Sequence, residues 1–370
     1  MKRMTSIVLV LISMTEMLTA NDATVWFGTR GEAGIHRATL NLETGELSEP
    51  ECAFKMVNCG FLALHPKEQR LYSLGRVSTG GTAEANLAAF DIGEDDSLSL
   101  INTVNSNGGN PTHLSVTHDG STLLVAHYSG GGVASLPIAA NGAIQAPTTN
   151  IQHSGSSVDP KRQDKPHPHW IGASPDNKFA FVPDLGTDSV VIYKLNSAEH
   201  TLATHSSARV PDGAGPRHLT FHPTQPWAFV INELDLTVTA FSYDASAGKL
   251  TEIETVVALP PSEVKDVLTS GSEIRVHPNG RHLYAGIRGH DVIAVFEIGV
   301  GGKLKLIERE PIRGSWPRNF ALDPTGRWLL AAGAESDTVS VFKVDADSGR
   351  LTFTRQIVHL PKCICVAFSR

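Results

Sequence analysis

The sequence places its most reactive side chains at two fixed distances from a recurring turn residue. The turn residues are Pro66, Asp119, Pro175, Pro223, Pro278 and Pro324. Six positions before them stand Gly60, His113, His169, Arg217, Ser272 and Arg318. Ten positions after them stand Arg76, Ser129, Leu185, Glu233, Arg288 and Ala334. Arginine presents a planar fork that suits carboxylate or phosphate, and histidine exchanges protons near neutral pH. The pattern therefore indicates an anionic ligand with acid–base chemistry beside it.

The turn residues recur at intervals of 46 to 56 residues, so the chain is an internal repeat. In the unit around Arg217 the pattern predicts four short strands, at His218–His222, Trp227–Asn232, Val238–Tyr243 and Leu250–Val257. Valine, isoleucine, phenylalanine and tyrosine are frequent there, and apolar residues alternate with polar ones. Repeated four-stranded units of this length predict a β-propeller.

The two ends of the chain supply the parts of one further unit, in addition to six complete ones. Near the N terminus, Val25–Thr29 and residues 34–42 are predicted as two strands, and Gly45–Leu47 as the opening of a third. Cys363–Phe368 is a lone strand at the C terminus. A C-terminal strand that completes the N-terminal blade closes the ring and removes an exposed sheet edge. We therefore expect an all-β, seven-bladed propeller with four antiparallel strands per blade, filling residues 21–370 as a single domain.

The first and second strands of each unit position the reactive side chains. Because these strands run antiparallel, the start of the first and the end of the second lie at the same rim, and the first strand is innermost in a propeller. The two sets should therefore line one mouth of the central channel. Polar residues at strand ends can instead be merely solvated, and Glu233 can pair with an arginine across the channel. For the set as a whole we favour a ligand site.

The composition is that of an ordinary globular protein. The chain has 370 residues, of which 41% are hydrophobic and 19% charged, and this excludes disorder, coiled coil and collagen. The net charge is −7, so nucleic acid is not an expected partner. Four cysteines form no disulfide framework, and Cys52 with Cys59 is the nearby pair that spacing allows. We expect a monomer.

The first twenty residues have the layout of a secretory signal peptide. Met1–Arg3 is basic, Ile7–Met14 is mostly apolar, and Leu18–Ala20 ends in a small residue. The apolar run is too short to span a membrane. We expect an exported protein, periplasmic or extracellular, with no membrane contact after removal of residues 1–20. A misassigned start codon would instead leave the protein in the cytoplasm.

Several motifs within residues 24–368 are similar to those of a known family. They are Lys165–Trp170, Phe181–Gly186, Gly215–Pro223, Val230–Leu234, Ser272–Pro278, Arg288–Asp291 and Pro317–Phe320. With these motifs the sequence resembles the seven-bladed propeller lactonases of the bacterial 6-phosphogluconolactonase type, which are related to fungal carboxymuconate cyclases. The resemblance implies an enzyme without metal or cofactor whose partner is a small-molecule lactone.

The resemblance also implies roles for residues that the repeat had singled out. The family's functional cluster falls by motif on His169, Arg217, Glu233 and Arg288. We expect His169 to be the general base that activates water. Arg217 and Arg288 would hold the anionic tail of the substrate or stabilise the oxyanion, and Glu233 would orient one of these groups or relay a proton. As further substrate contacts we predict His113, His167, Asp184, Arg318 and Arg76.

Other interpretations of two of these positions stay open. His167 and His169 could be structural or could bind a metal, since His-x-His spacing on a strand suits one. No Asp, Glu or Cys set with convincing ligand spacing accompanies them in the sequence, so no metal is predicted. Asp184 could close the rim or serve as an alternative base.

Departures from the family pattern leave the substrate open. Ile287 stands where the family usually has asparagine, Gly333-Ala334 where it has Asn-Gln, and His127 where an asparagine precedes the tyrosine. We expect a sugar-type lactone, with phosphorylated and carboxylated forms among the options. The alternatives are a carboxymuconate cyclase-like enzyme using the same arginines, and an exported non-enzymatic binding module. The lack of a Trp-Asp or Gly-His signature argues against a WD-type propeller.

Overall fold

The computed structural model describes residues 21–77, 85–263 and 268–369, and these are almost entirely β structure. The predicted leader, residues 1–20, lies outside the described residues. The strands in chain order are β1 Asp22–Thr29, β2 Ile35–Asn41, β3 Glu51–Phe54, β4 Met56–Val57, β5 Leu62–Leu64, β6 Arg70–Leu74, β7 Arg76–Val77, β8 Leu87–Ile92, β9 Leu98–Val104, β10 His113–Val116, β11 Thr122–His127, β12 Gly132–Pro137, β13 Thr149–Gln152, β14 Gly172–Ala173, β15 Phe179–Asp184, β16 Ser189–Asn196, β17 Thr201–Arg209, β18 Pro216–Phe221, β19 Trp227–Asn232, β20 Thr237–Asp244, β21 Lys249–Val257, β22 Ser270–Val276, β23 His282–Arg288, β24 Val292–Ile298, β25 Leu304–Pro311, β26 Pro317–Leu322, β27 Trp328–Gly333, β28 Thr338–Val344, β29 Leu351–His359 and β30 Cys363–Phe368. Short 3₁₀ turns cover Leu185–Thr187, Pro261–Glu263 and Val300–Gly302.

Within the described ranges, the strands form seven four-stranded sheets, and each sheet is one blade. From the channel outwards they are blade 1 (β30, β1, β2, β3), blade 2 (β5, β6, β8, β9), blade 3 (β10–β13), blade 4 (β14–β17), blade 5 (β18–β21), blade 6 (β22–β25) and blade 7 (β26–β29). β4 and β7 make a separate two-stranded pair. The predicted propeller is confirmed. So is its closure, because β30 from the C terminus pairs antiparallel with β1 from the N terminus.

The outer strand of blade 1 differs from the prediction. It is Glu51–Phe54, whereas Gly45–Leu47 was expected to open it. Leu47 forms only an isolated bridge with Leu40, because the chain turns tightly between them. Gly45 has a φ of +77°, and a Cβ there would lie 2.4 Å from the Trp328 ring. The glycine is thus required by a tight turn packed on blade 7, and the strand begins later.

The hydrophobic core is a ring of interfaces rather than a single mass. Buried apolar side chains of the described residues form seven clusters, one between each pair of neighbouring blades. Between blades 5 and 6, for example, Phe229 and Val238 pack with Leu283 and Phe296. Each blade therefore buries both faces against neighbours, and the closed ring holds the inner strands in fixed positions around the channel.

A repeated contact between histidine and glycine ties the turns of neighbouring blades together. His222 Nε2 lies 2.8 Å from the carbonyl oxygen of Gly280, and its Nδ1 accepts hydrogen bonds from the backbone N–H groups of Thr224 and Gln225. Gly280 has a φ of +74°, and a Cβ there would meet the His222 ring at 2.6 Å. The same contact joins His65 to Gly120 and His277 to Gly326. The His-Pro phrase of the repeat is thus an inter-blade contact.

The channel has two mouths with different linings. In blade 5, Pro216 pairs with Asn232 at one end of the inner hairpin, and Phe221 pairs with Ala228 at the other. The end where the inner strands begin is called the site mouth. The end where the turns lie, beyond residues such as Phe221, is called the turn mouth. The expected common rim of strand starts and second-strand ends is the site mouth.

Two smaller expectations concern cysteines and membranes. Cys52, Cys59, Cys363 and Cys365 are all free thiols, so the Cys52–Cys59 pair that spacing allowed is not formed. Burial raises the pKa of the Cys59 thiol, which lies 3.6 Å from the Thr29 hydroxyl.

In the parts of the chain that the structure covers, no helix has the length and apolarity needed to cross a membrane.

Candidate active site

Two adjacent cavities lie at the site mouth, with volumes of about 300 and 340 Å³. Asn110, Thr112, His169 and Arg318 line both, so the cavities are compartments of one site. The first compartment also contains Arg30, Asn58, Arg217 and His218, and the second contains Tyr128, Arg162, Glu233, Arg288 and Trp316. Of the nine predicted site residues, five therefore meet here, namely His169, Arg217, Glu233, Arg288 and Arg318.

Glu233, which directly follows β19, is the centre of a charge network. Its Oε2 accepts a hydrogen bond from Arg217 Nε at 3.0 Å and lies 2.9 Å from Arg288 Nη2. Its Oε1 accepts a hydrogen bond from Arg162 Nη2 at 2.5 Å. Arg217 and Arg288 each also donate to a backbone carbonyl at 2.6 Å. With both oxygens occupied, the Glu233 carboxylate is arranged to hold arginines in place rather than to accept a proton from water.

The electrostatics of this network follow from burial and charge. Burial alone would raise the pKa of the Glu233 carboxyl, but Arg288 and Arg217 outweigh it and the pKa lies well below its ordinary value. Burial, together with repulsion from Arg288, lowers the pKa of Arg217 to about 9 in spite of Glu233. At neutral pH the network is thus an ionised carboxylate surrounded by an excess of positive charge.

Arg318, in β26, contributes a charge that the protein does not balance. Its guanidinium lines both compartments and makes no hydrogen bond or ion pair with any described residue. Burial and repulsion from Arg217, Arg288 and Arg30 lower its pKa. A bound anion would relieve this repulsion, and the planar guanidinium can give two parallel hydrogen bonds to a carboxylate or phosphate. The first compartment is therefore suited to an anionic group.

His169 is the imidazole shared by the two compartments. It lies just before β14, where its backbone N–H donates to Pro183 O at 3.1 Å. Its side chain is buried, its Nδ1 has no hydrogen-bond partner among the described residues, and its ring meets that of Tyr128 edge-on at 5.3 Å between centroids. Burial and the positive charge of Arg217 hold its pKa well below the ordinary value. His169 is thus neutral at pH 7 and able to accept a proton.

β-Bulges at the start of the inner strands aim several of these side chains. In blade 5 the register shifts between Pro216 and His218, so Arg217 is the extra residue. In blade 7 a shift in the same place makes Arg318 the extra residue. Strict alternation would send Arg217 and His218 to opposite faces of the sheet. Because of the bulge, both of them line the first compartment.

Two of the predicted substrate contacts, His167 and Asp184, lie beside the site but line neither compartment. Asp184 is fully buried and accepts hydrogen bonds from the backbone N–H groups of His167 and Gly186, at 2.7 and 3.0 Å. Its other oxygen lies 2.6 Å from His153 Nδ1. His167 stacks on Tyr128 with ring centroids 4.5 Å apart. Both residues therefore position the segment that bears His169.

The other two, Arg76 and His113, are placed differently. Arg76 is exposed, pairs through its backbone with Val57, and lines neither compartment. His113 is buried and lines neither compartment, with its ring 4.2 Å from that of Phe61. Its Nδ1 accepts a hydrogen bond from the backbone N–H of Ile171 at 3.3 Å. His113 thus supports the floor of the site.

Arg162 and Tyr128 are site residues that the repeat did not reveal. Arg162 Nη2 donates to the Tyr128 hydroxyl at 3.2 Å as well as to Glu233. Arg162 belongs to the long loop between β13 and β14, which Asp188 anchors by accepting hydrogen bonds from Gln163 Nε2 at 2.7 Å and from the Ser157 hydroxyl. A loop lies outside the repeat frame, so no positional signal in the sequence could have indicated it.

Trp316 and His218 were also missed, and each is placed by local backbone geometry. Trp316 has a φ of +66°, and its ring lies 5.4 Å from the guanidinium carbon of Arg288, a cation–π contact. His218 follows Arg217 in a motif already noted, yet only the bulge turns it towards the channel. Side-chain alternation, the signal read from the sequence, assumes a regular strand.

Comparison with known proteins identifies the family. A family model described as lactonase, 7-bladed beta-propeller, matches residues 24–368. The chain belongs to this lactonase family. A 6-phosphogluconolactonase of Bacillus subtilis is 35% identical over 340 residues, covering 91% of this lactonase and 95% of the relative. A 6-phosphogluconolactonase of Formosa agariphila is 32% identical over 325 residues, covering 86% and 90%.

Solved structures of similar proteins agree with the fold and the family. A putative 6-phosphogluconolactonase from Bacteroides fragilis superposes on this lactonase with a TM-score of 0.86 at 30% identity, covering 96% of this chain and 99% of its own. A periplasmic gluconolactonase from Pseudomonas aeruginosa gives a TM-score of 0.86 at 29% identity, covering 94% and 99%. The resemblance seen in the sequence motifs is confirmed, and so is a lactonase acting on a small-molecule lactone.

The departures from the family pattern can now be located in this lactonase. Ile287 is a fully buried member of the apolar cluster between blades 5 and 6. Gly333 lies against Ser336, the backbone N–H of Ala334 donates to Trp316 O at 3.1 Å, and neither residue lines a compartment. His127 is buried, with Nε2 2.9 Å from the Ser106 hydroxyl. These substitutions therefore change packing around the site and not its lining. In the part of the chain that the structure describes, no three His, Cys, Asp or Glu side chains are grouped to hold a metal ion.

Proposed function

We propose that this lactonase hydrolyses a sugar-type lactone that has an anionic group. The observation behind the proposal is an unpartnered Arg318 guanidinium and a neutral His169 lining the same two compartments. The Bacillus relative is named for a phosphorylated sugar lactone and the Pseudomonas neighbour for an unphosphorylated one. The excess of positive charge favours the phosphorylated class, because an uncharged lactone would leave Arg318 without a counter-charge.

The arginines divide between two tasks in this proposal. Arg318 and the exposed Arg30, both in the first compartment, receive the anionic group of the substrate. Arg217 is fixed by Glu233 and lines the same compartment, so it can stabilise the oxyanion that forms at the carbonyl. Arg288 is held both by Glu233 and by the Trp316 ring. Glu233 acts as a positioning residue that keeps these guanidinium groups in place.

His169 supplies the acid–base chemistry. Its neutral imidazole takes one proton from a water molecule while the water oxygen bonds to the carbonyl carbon. The tetrahedral intermediate collapses with cleavage of the ring carbon–oxygen bond, and the bond's electron pair goes to the ring oxygen. That oxygen takes up the proton from His169, which returns to its neutral form. The product is a hydroxy acid.

A panel of lactones tests the substrate class. The panel contains 6-phosphogluconolactone, glucono-δ-lactone and a carboxymuconolactone, and hydrolysis is followed by NMR or pH-stat above the uncatalysed rate. We expect kcat/KM for the phosphorylated lactone to exceed that for the plain one by at least about tenfold, from charged hydrogen bonds of about 1.5–3 kcal/mol. Equal kcat/KM values for the phosphorylated and the plain lactone would contradict the proposal that the substrate has an anionic group. Hydrolysis of none, with binding to a glycan or protein, would favour the non-enzymatic module.

We also propose that the protein is exported. Residues 1–20 have the layout of a signal peptide, and a structural neighbour is named as a periplasmic enzyme. N-terminal sequencing of the protein expressed with its natural leader tests this. Cleavage after Ala20 in an exported fraction is the expected result, and an intact leader on protein that stays in the cytoplasm would contradict it.

A further inference from the structure

A second acid–base group lies in the first compartment, outside the cluster already described. His218 is buried and its Nδ1 lies 3.2 Å from Glu273 Oε1. Glu273 is itself buried, and its other oxygen accepts a hydrogen bond from Asn319 Nδ2. Asn319 is fixed in turn, since its Oδ1 accepts the backbone N–H of Val366 at 2.8 Å. Three neighbouring blades thus build a His218–Glu273–Asn319 chain that the proposed mechanism does not use.

The hydrogen-bonded His218–Glu273–Asn319 series determines which nitrogen of His218 faces the ligand. A carboxylate only accepts, so the Nδ1 beside Glu273 must bear the proton. In the neutral imidazole, Nε2 is then an acceptor, and it has no hydrogen-bond partner among the described residues. His169 differs, because among the described residues no hydrogen bond to its ring selects a tautomer. The site therefore holds one imidazole of fixed tautomer and one that can adopt either.

The backbone also presents His218 to the ligand. The bulge at Arg217 turns the next residue towards the channel, and His218 lines the first compartment beside His169. The two rings lie 5.2 Å apart between centroids, a spacing at which both can reach one small substrate. A second bulge in blade 6, between Gly271 and Ile274, places Glu273 against His218. Bulges are common beside active sites because they re-aim side chains.

We propose that His218 is a second acid–base residue of this lactonase and that Glu273 is its positioning residue. The proposal rests on the proposed function and accounts for the second proton of the attacking water. One proton passes through His169 to the ring oxygen. The other remains on the newly formed carboxylic acid and is taken up by His218 Nε2, which leaves a carboxylate next to Arg217. The imidazolium, stabilised by Glu273, then releases that proton to solvent.

The charges that face His218 are consistent with this direction of transfer. Arg217, Arg318 and Arg288 approach from the site mouth and Arg275 from the turn mouth; His113 and His169 flank the ring. Burial and these arginines lower the pKa of His218, so it is neutral and ready to accept a proton in the free protein. The negative charge of Glu273 lies on the opposite ring nitrogen, where it stabilises the protonated form once product carboxylate is present.

Two substitutions test the proposal in the full-length protein. H218Q removes the imidazole that accepts the proton, and E273Q removes the negative charge while keeping the size of the side chain. With the best lactone of the panel, we expect kcat to fall by about a hundredfold in H218Q and by about tenfold or more in E273Q. KM should stay within about threefold, because neither group holds the anionic part of the substrate. A purely structural role would lower the thermal midpoint without this selective loss of kcat.

The matched control is H277Q. His277 is also a buried histidine next to a blade 6 strand, but it contacts Gly326 in a turn away from the site. Its kcat should stay within about twofold of the unaltered protein. Unaltered kcat in folded H218Q and E273Q would overturn the proposal while leaving the lactonase intact. Absence of hydrolysis by the unaltered protein would instead overturn the proposed function, and this inference with it.

A measurement on the unaltered protein decides the point if the variants do not fold. Nitrogen-15 NMR of labelled histidines reports which ring nitrogen bears the proton. We expect His218 to be protonated at Nδ1 and unprotonated at Nε2 near neutral pH. A His218 protonated at Nε2 could not accept a proton from the product acid, and that result would overturn the proposal.

Discussion

The two mouths of the channel hold similar residue types in different states. The cavity at the turn mouth is the larger, at about 690 Å³, and basic side chains line it. Most of them already have partners there. His65 Nδ1 accepts the backbone N–H groups of Lys67 and Glu68, and Lys67 Nζ donates to Asp119 O at 3.2 Å. At the site mouth, the side chains of Arg318 and His169 form no hydrogen bond or ion pair with any described residue. We therefore place the candidate site by the unpartnered Arg318 guanidinium and His169 imidazole rather than by cavity size.

The comparison shows that one structural repeat both closes the ring and positions charged side chains. At the turn mouth, histidine–glycine contacts fasten blades 2, 5 and 6 to the blades that follow them, as His222 does with Gly280. At the site mouth the corresponding strand ends are joined by bulges and charged side chains. The first arrangement closes the ring, and the second uses the rigidity of that ring to hold like charges close together.

The largest difference between the mouths is expected for their carboxylates. Glu233 is buried between three arginines, whereas Glu68 is exposed and pairs with a single, partly buried arginine, Arg70. E233Q should lower the free energy of unfolding by about 3–5 kcal/mol, because it leaves buried arginines without a counter-charge. E68Q should lower it by at most about 1 kcal/mol. Urea denaturation measures both, and equal effects would contradict the contrast.

The effect of E233Q should also depend on pH. The pKa of Glu233 is lowered in the folded state, so its contribution to stability is present above the ordinary glutamate range, near 4.3, and is lost as pH falls below it. The stability gap between the unaltered protein and E233Q should therefore narrow on acidification. A gap that stays constant down to pH 3 would mean that the charge is not what stabilises the network.

The next largest effect is expected for histidines. H169Q should lower kcat on a lactone by roughly a hundredfold or more, because it removes the proposed general base. H118Q is the matched change at the turn mouth, where His118 lines the larger cavity. We expect H118Q to stay within about twofold. Steady-state kinetics on both variants compares them, and full activity in H169Q would exclude it as the base.

Removal of one positive charge at each mouth gives a smaller and more selective effect. R318Q should raise KM for an anionic lactone by about tenfold to a hundredfold, from the loss of a charged hydrogen bond of about 1.5–3 kcal/mol. For an uncharged lactone the change should be much smaller. K67Q, at the turn mouth, should leave both KM values unchanged. Similar losses in the two variants would indicate a general field effect rather than a binding contact.

The smallest effect is a displacement of the pH profile. Burial and Arg217 hold the pKa of His169 below its ordinary value near 6.5, so the neutral imidazole persists at lower pH. We expect kcat/KM to stay on its plateau below pH 6.5 and to fall only in more acidic solution. An acidic limb at pH 6.5 or above would contradict an environment dominated by arginine.

Much of this protein's fold could be predicted from its sequence, because the internal repeat shows which place each residue takes within a blade. The recurring turn residues and alternating strands predicted seven blades and the closure by Cys363–Phe368. Five residues that line the two compartments followed from the same frame, since a residue at a strand start or end has a similar place in each repeat. Arg76 shows the limit of that frame, because an extra β4–β7 pair keeps it on the surface. His113 shows another, since its strand starts without the bulge of blades 5 and 7 and its ring packs against Phe61 and Trp170.

The sequence by itself determined the residue types, their spacing and the ring that brings strand starts to one mouth. The tertiary structure decided which of those charges would be left without a partner. Arg217 and Arg318 are alike in the sequence, yet Glu233 binds one and not the other. His218 faces the cavity only because a bulge breaks the alternation that a sequence pattern assumes. Periodicity specifies regular strands, whereas the chemistry depends on where they are irregular and on loops such as the one that brings in Arg162.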